Sequence, residues 1–449
     1  MYITEFNPHN LTYVIEETHG QVAMGPTYVI NNAGDVVVSA TNESLVITNG
    51  DSNNIEQYFT YTTNGNLPVA SIKYTDASNN DTEITNTNNL SVGIHEIKCT
   101  ITNAKGDTVS KTMKITVKPR IDGSWNAKAG VNSPLLMDGM VAVYWSTDNG
   151  VTASTTQEGA KEIYSKIDAN GKANSGGSDN PNFNWDNWYA YVAGNNATDT
   201  KTSRWANAIT DDGSYWVWIP RYKYLISDQP TTVSTTSAGK VTIEFIPTSD
   251  KMGKTGYTTS ANTDGEILTK DSAGYIIHPA FENGSNTGKN NGFANGEWDK
   301  ELAGLWVAKY EMSMEDGSGN HVETSSSTVG NVKIGDNVKI VSKPNVSSWR
   351  YIQIGQIYQN CIEYDSEKNS HLIKNSEYGA VAYLAHSQYG RNRNGIGDVG
   401  GAKAYNTIAG MLASTTGNIY GVYDMNGYSS ELVAIWDTKS TSSTTIDFG

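Results

Sequence analysis

Between residues 28 and 118, short β-branched and aromatic runs recur at 28–30, 36–40, 45–48, 57–63, 70–74, 95–102 and 108–117. Asn-Gly, Gly-Asp, Asn-Asn and Gly-Asn pairs lie between them. Such pairs suit turns that need positive φ. The last run alternates, with Val109, Met113, Ile115 and Val117 separated by Ser, Lys and Thr, as expected for a strand with one dry and one wet face. Seven short strands over about 90 residues predict a two-sheet β-sandwich. Residues 1–27 show no helical period and read as an extended arm punctuated by Gly20 and Gly25-Pro26. Pro119 closes the sandwich, because proline cannot continue a central strand.

Residues 120–184 read as a loop-rich linker, with one helix-competent run at 157–167 and a Gly/Asn/Ser stretch at 170–184. From residue 185 the chain is more aromatic. Tyr215-Trp216-Val217-Trp218-Ile219, ended by Pro220, reads as a buried strand, as do 241–246 and 305–310. In 377–386, Ala380, Val381, Leu384 and Ala385 fall at helical spacing and predict a short amphipathic helix. Residues 419–425 return to strand. The expectation is a multidomain, β-rich chain with an N-terminal arm (1–27), a sandwich (28–119), a linker (120–184) and an α+β domain (185–449).

Composition sharpens this picture. The 449 residues include 26 Tyr and 11 Trp against 7 Phe, and tipped aromatics suit half-wet surfaces. The net charge of −15 repels phosphate backbones and anionic lipid, so neither nucleic acid nor membrane is an expected partner. No run approaches the ~20 apolar residues of a membrane span. MYITEFNPHN lacks the basic and apolar regions of a secretory signal. That leaves numbering from a processed end, or release by lysis as virion parts are released. The two cysteines, Cys99 and Cys361, have no metal or redox context and are expected to be free and buried.

Gly93 to Thr102, followed by Asn103-Ala104-Lys105-Gly106-Asp107, resembles the closing hairpin of bacterial Ig-like modules, although the sandwich lacks the paired cysteine of an Ig disulfide. The blocks WVWIPRYKYLI, HPAF, LAGLWVAKYEMS, KPNVSSWR, HLIKNSEYGAVAYLAHSQYG and ASTTGNIYGVYDMNG resemble large proteins of Firmicutes and their prophages. The last domain of those proteins is similar to the C-type-lectin-like fold of the formylglycine-generating-enzyme superfamily. Residues 417–425 resemble the first half of that superfamily's GNVYGLYDM-type signature. The resemblance spans residues 185–431. It implies an Ig-like sandwich followed by an α+β C-type-lectin-like domain. After Met425 the chain departs from the pattern, and no cysteine follows Cys361, so the resemblance implies the scaffold and not the oxidase chemistry.

Chemistry-bearing motifs are sparse. Gly395 to Gly400 matches GxGxxG without the preceding apolar strand that a dinucleotide fingerprint needs. The seven histidines form no HExxH or close pair, so no metal site is expected. Asp168, Asn170 and Gly171 lack the remaining calcium-loop ligands. Asp211-Asp212 and Asp186/Asn187 offer oxygens to an opportunistic calcium, and no other cofactor is implied. Gln229-Pro230-Thr231 and Lys343-Pro344-Asn345 miss the sugar-binding calcium motifs. The binding-loop candidate is Tyr389, Arg391, Asn392 and Arg393, which joins adaptable polar groups to arginines in an acidic chain. Trp185, Trp188 and Tyr189 are a candidate sugar-stacking platform, or else core.

The expected function is therefore non-enzymatic. The protein is read as a structural or adhesion component of a phage virion (tail or head fibre, decoration or receptor-binding protein). It would act as a homo-oligomer with other subunits, facing a host surface glycan or protein. A bacterial cell-surface or pilus-type adhesin is the alternative, and an enzyme on the same scaffold is the third reading.

Overall fold

The structure is a computed structural model. It describes residues 36–63, 68–147, 160–167, 185–194, 202–227, 240–251, 256–261, 267–283, 298, 300–324, 337–391, 410, 413–425 and 433. Short strands at 11–12, 17–18, 21–22, 29–30 and 173–174 are also described. The chain is multidomain and β-rich, with few helices and several separate sheets, and divides into two compact units, Met1–Arg120 and Ile121–Gly449.

The first unit holds β1 (Val36–Ala40), β2 (Ser44–Thr48), β3 (Phe59–Thr63), β4 (Val69–Asp76), β5 (Thr82–Glu83), β6 (Gly93–Asn103) and β7 (Thr108–Lys118). Five strands form a sheet in the order β2-β7-β6-β4-β5, and β1 pairs with β3. The β6–β7 hairpin follows the alternation in the sequence. Ile97, Cys99, Ile101, Met113, Ile115 and Val117 are buried between more exposed neighbours. Asn103 shapes the turn, its Oδ1 accepting from the N–H groups of Lys105 (2.9 Å) and Asp107 (3.0 Å), while Gly106 takes φ +92°. β2 joins β7 in parallel, Ile47 opposite Val117. Val38 and Phe59 of the β1–β3 pair bury against Ile97, Ile101 and Ile115 in one core, so two sheets share it. Among the N-terminal residues read as an extended arm, Leu11–Thr12 pairs with Val29–Ile30, and Glu17–Thr18 with Gln21–Val22.

Besides the two-residue pair Trp125–Asn126 and Val131–Asn132, the strands of the second unit are β8 (Met140–Thr147), β9 (Ala160–Ile167), β10 (Asn207–Thr210), β11 (Tyr215–Pro220), β12 (Tyr222–Ser227), β13 (Lys240–Phe245), β14 (Tyr257–Ala261), β15 (Ile267–Asp271), β16 (Ile276–Ile277), β17 (Gly304–Ala308), β18 (Ser313–Asp316) and β19 (Val338–Val341). Its helices are α1 (Ile354–Tyr364) and α2 (Asn375–His386). One sheet runs β9-β8-β10-β11-β17, with Ala173–Asn174 beyond β9. A second runs β13-β12-β16-β15-β14, and β18 pairs with β19. β11 is buried at every residue except half-buried Trp216, as its unbroken apolar run requires. Opposite Pro220 stands Gly304, where a Cβ would lie 2.5 Å from the Ile219 carbonyl and from the Trp218 ring. α2 buries Ala380, Val381, Leu384 and Ala385, the face its spacing predicts. Tyr222 Oη donates to the Ala380 carbonyl (2.6 Å), joining this helix to β12.

Four expectations change. Residues 121–184 are not merely a linker. β8 lies between β9 and β10 in the larger sheet, so the second unit starts at 121 and not at 185. The helix-competent run at 157–167 is strand β9, because six consecutive residues of β8 supply its backbone partners. Residues 419–425, expected as strand, form no strand: 419–421 are turn and bend, and 422–424 are irregular. Their backbone bonds go to isolated partners, such as Tyr423 N–H to the Lys309 carbonyl (2.9 Å), rather than to a ladder. Both cysteines are free, but only Cys99 is buried, while Cys361 is half-buried. Among the described residues no helix is long and apolar enough to cross a membrane.

Candidate binding surface

The second unit is organised around polar groups that its aromatic rings enclose. Asn207, fully buried on β10, uses every side-chain position. Its Oδ1 accepts from Trp145 Nε1 (3.0 Å) and Lys309 Nζ (2.7 Å), and its Nδ2 donates to the carbonyls of Trp205 and Tyr420 (both 2.9 Å). Lys309, also fully buried, donates further to the carbonyls of Ile419 (2.5 Å) and Gly421 (3.0 Å). Its ammonium lies 5.2 Å from the Tyr423 ring centroid and 5.6 Å from that of Trp145. A buried cation is tolerable only when donors and π-faces replace its water. Here they also fasten residues 419–423 to β10 and to Lys309, the residue that follows β17.

From this centre a ribbon of aromatic rings runs outward. Trp185 meets Trp188 (5.4 Å between centroids), Trp188 meets Tyr189 (5.7 Å), and Tyr189 meets Tyr191 (6.4 Å). Tyr191 meets Phe245 (5.2 Å), and Phe245 meets Tyr389 (4.6 Å). The ribbon thus links both groups of candidate residues, and it separates their roles. Trp188 is 1% exposed and donates from Nε1 to the Asn207 carbonyl (2.8 Å), and Tyr189 Oη accepts from Asn126 Nδ2 (3.0 Å). Trp185 is buried as well. These three rings are core and have no open face for a sugar, which corrects the stacking-platform expectation.

Tyr389, at the other end, is half-buried, and Arg391 beside it is half-buried too. Their backbone is held firmly. Arg391 N–H donates to the Ala385 carbonyl (2.7 Å), and Trp205 Nε1 donates to the Tyr389 carbonyl (3.1 Å). The Gln388 amide both accepts from and donates to the backbone of Ile243. A Cβ on Gly390 would meet the Ala385 carbonyl oxygen at 2.3 Å, so only glycine allows this turn off α2. Asn392 and Arg393, like the 395–400 glycine pattern, lie outside the described residues.

The side chains considered for other chemistry are taken up by the fold. His278 is buried among Tyr222, Tyr224, Phe281 and Tyr383, and burial lowers its pKa to about 3. Burial lowers His386 to about 4, with Arg391 adding to the effect. For His371, burial opposes the charge, but the bond to Glu377 (2.9 Å) wins and the pKa is raised. Two of the carboxylates offered to a calcium, Asp212 and Asp186, are also engaged. Asp212 accepts from Thr210 Oγ1 (2.6 Å), Ser214 and Tyr364 Oη (2.7 Å), and Asp186 pairs with Lys128 (3.1 Å). Among the described residues no group of three or more His, Cys, Asp or Glu could hold a metal ion. Asp168, Asn170 and Gly171 lie outside them.

One surface was not anticipated from the sequence. Tyr351, Ile354 and Tyr358 are exposed at and before the start of α1. The signal was present as apolar residues at i, i+3 and i+7 with no acid between them.

No family model matches the chain, and no curated protein matches it. Among solved structures it is similar to the Bacteroides ovatus mixed-linkage glucan utilization locus (MLGUL) SGBP-B in complex with mixed-linkage heptasaccharide. The identity is 12% over 65% of this chain and 74% of that chain. The TM-score is 0.16, too low for this likeness to bear on fold or ligand.

Proposed function

We propose that this protein works by binding, not catalysis, as an adhesion or structural component of a phage virion that presents its second unit to a host surface. The first unit is read as an Ig-like spacer. Its seven strands, two sheets on one aliphatic core and parallel β2–β7 edge support that reading. The second unit is read as a C-type-lectin-like scaffold, on the sequence blocks described above. The observation that carries the functional reading is the Tyr389–Arg391 rim. There an aromatic ring and a guanidinium, side chains favoured at recognition surfaces, leave α2 on a backbone pinned to Ala385, Trp205 and Ile243. A rigid rim reduces the ordering cost of binding. The partner is a host-surface glycan or protein.

Binding of the full chain to host envelopes and to a glycan array tests this. Arg391→Ala and Tyr389→Ala each weaken binding by roughly tenfold or more. Tyr389→Phe keeps the packing on Phe245 and controls for folding. Wild-type binding by both alanine variants overturns the role of the rim. Absence of the protein from purified virions overturns the virion assignment and favours a cell-surface adhesin.

A further inference from the structure

Tyr389 closes over the edge of the second sheet, and the side chains it meets there are held as firmly as the rim. β13 is the edge strand, and the Gln388 amide caps it by bonding both backbone groups of Ile243. The next two residues point to opposite faces. Phe245 packs on the Tyr389 ring, while Glu244 turns to the far side. Its Oε2 lies 3.0 Å from Lys223 Nζ on β12, yet the side chain stays 56% exposed. Among the described residues Glu244 Oε1 has no partner.

Lys223 anchors this corner. Its side chain is 12% exposed, and its ammonium also lies 2.9 Å from Asp271 Oδ2 and 5.2 Å from the centroid of the Tyr275 ring. Asp271 in turn fixes Tyr275. Its Oδ1 accepts from the N–H groups of Ala273 and Tyr275 (both 2.9 Å), across a turn in which Gly274 takes φ +88°. Tyr275 is half-buried, and among the described residues its hydroxyl has no partner. Burial raises the pKa of Tyr389, a bond from Gln388 opposes the rise, and nearby Glu244 and Tyr275 add to it.

Protein interface cores are depleted in Glu, Lys and Asp and favour an apolar anchor in a pocket. Here an acceptor oxygen and a hydroxyl stand beside an aromatic ring. A sugar suits that set, because its C–H face covers a ring while its hydroxyls bond a carboxylate and a phenol. Lys223 is already shared by Glu244 and Asp271, so the open acceptor has negative charge beside it. That charge opposes an anionic sugar.

The geometry points to a neutral glycan as the partner of the rim, with one sugar on the Tyr389 ring and neighbouring hydroxyls bonded to Glu244 Oε1 and Tyr275 Oη. This rests on the rim being the recognition surface, and it adds Glu244 and Tyr275 to the residues that set specificity. Fixed groups reduce the ordering cost of such a contact.

Binding of the full chain to host envelopes treated with periodate, which cleaves vicinal diols, or with protease tests this. An array of neutral, uronic-acid and sialylated glycans follows. Periodate abolishes binding, protease leaves it, and the array signal is confined to neutral chains. Glu244→Ala weakens binding roughly tenfold and Tyr275→Phe roughly threefold, with the tryptophan-fluorescence midpoint in denaturant unchanged. Glu83→Gln, in the first unit, leaves binding as it is. Binding that survives periodate and is lost with protease overturns the proposal in favour of a protein partner. A preference for acidic glycans overturns it too, as does wild-type binding by both Glu244→Ala and Tyr275→Phe. In those cases Tyr389→Ala and Arg391→Ala still weaken envelope binding and the rim stands. Indifference to these two variants, or a wild type that binds no envelope, overturns the rim and this proposal together.

Discussion

The two units solve the same burial problem with different side chains. In the first, Ile47, Ile55, Ile97, Ile101, Met113 and Ile115 fill a core in which, among the described residues, Phe59 is the one buried ring, with Tyr58 and Tyr74 half-buried against it. Its cohesion is burial plus strand register, which is non-directional and roughly proportional to area. The second unit buries Trp145, Trp188, Trp205, Trp218, Tyr222 and Tyr420, whose polar tips must each find a partner. Tyr191 Oη donates to the Trp218 carbonyl (2.9 Å) and Tyr420 Oη to the Trp145 carbonyl (2.5 Å). An aliphatic core tolerates small shifts, while a network of tips and a buried ammonium fixes one geometry. Only the second unit carries the rim assigned to recognition, where such precision is useful.

The contrast breaks most sharply at Lys309. In Lys309→Met the side chain still fills space, but Asn207 Oδ1 and the carbonyls of Ile419 and Gly421 each lose a donor. Asn207 Oδ1 keeps Trp145 Nε1, so two carbonyls are orphaned, and at about 1–3 kcal/mol for each the loss is about 2–6 kcal/mol. All 11 tryptophans lie beyond residue 120, so tryptophan fluorescence in denaturant reports the second unit alone, and its midpoint falls. Ile97→Ala costs the first unit about 2–5 kcal/mol by opening a cavity and leaves the tryptophan transition in place. A tryptophan transition that shifts with Ile97→Ala would show that the two units unfold as one.

How much of this was legible follows from the same difference. Period-two alternation announced β6 and β7, because one face of that sheet is dry and the other wet. It could not announce β8. Met140 to Trp145 reads MVAVYW, an unbroken apolar run, and Ala142 and Val143, neighbours on opposite faces, are both fully buried. Next to a Gly/Asn/Ser-rich stretch, that run was absorbed into a linker. For Trp185, Trp188 and Tyr189 the sequence left both a stacking platform and core open, since the two need the same side chains, and their burial decides for core. The Lys309–Asn207 pin joins residues about 100 positions apart, and neither a lone lysine nor a lone asparagine signals its partner. Helix α2 was readable because its buried stripe is local.

A smaller effect separates the units by pH. His278 is held neutral by burial, with a pKa near 3 against an ordinary 6.5. The unfolded chain takes up its proton below about 6.5 and the folded one does not. This stability is therefore complete above 6.5 and is lost progressively as pH falls toward 3. At about 1.4 kcal/mol per unit, the loss reaches a few kcal/mol at the acid end. His371 has the opposite sign. Its raised pKa gives stability that is present below 6.5 and is lost as pH rises through the folded value. The tryptophan-detected midpoint should decline between pH 6 and 4, and His278→Phe should flatten that decline while losing the cap that His278 Nδ1 accepts from Ala280 N–H. An unchanged slope in His278→Phe would assign the acid sensitivity to His386, also lowered by burial to about 4, or to carboxylates instead.

The smallest effect is expected where a charge pair is easiest to see. Lys73 on β4 and Glu83 on β5 approach to 3.4 Å, with side chains 56% and 66% exposed. Water already solvates both ends, and holding two long side chains together costs rotamer entropy. Glu83→Gln should therefore shift the first unit's stability by less than about 0.5 kcal/mol, and by less still in high salt. Circular dichroism of the whole chain in denaturant measures it. The comparison with Lys309 isolates the variable. Lys73 has a carboxylate and open water, whereas Lys309 has an amide, two carbonyls and a closed aromatic wall. If Glu83→Gln cost as much as Lys309→Met, desolvation would not be what makes the buried lysine decisive, and the contrast between the two cores would lose its physical basis.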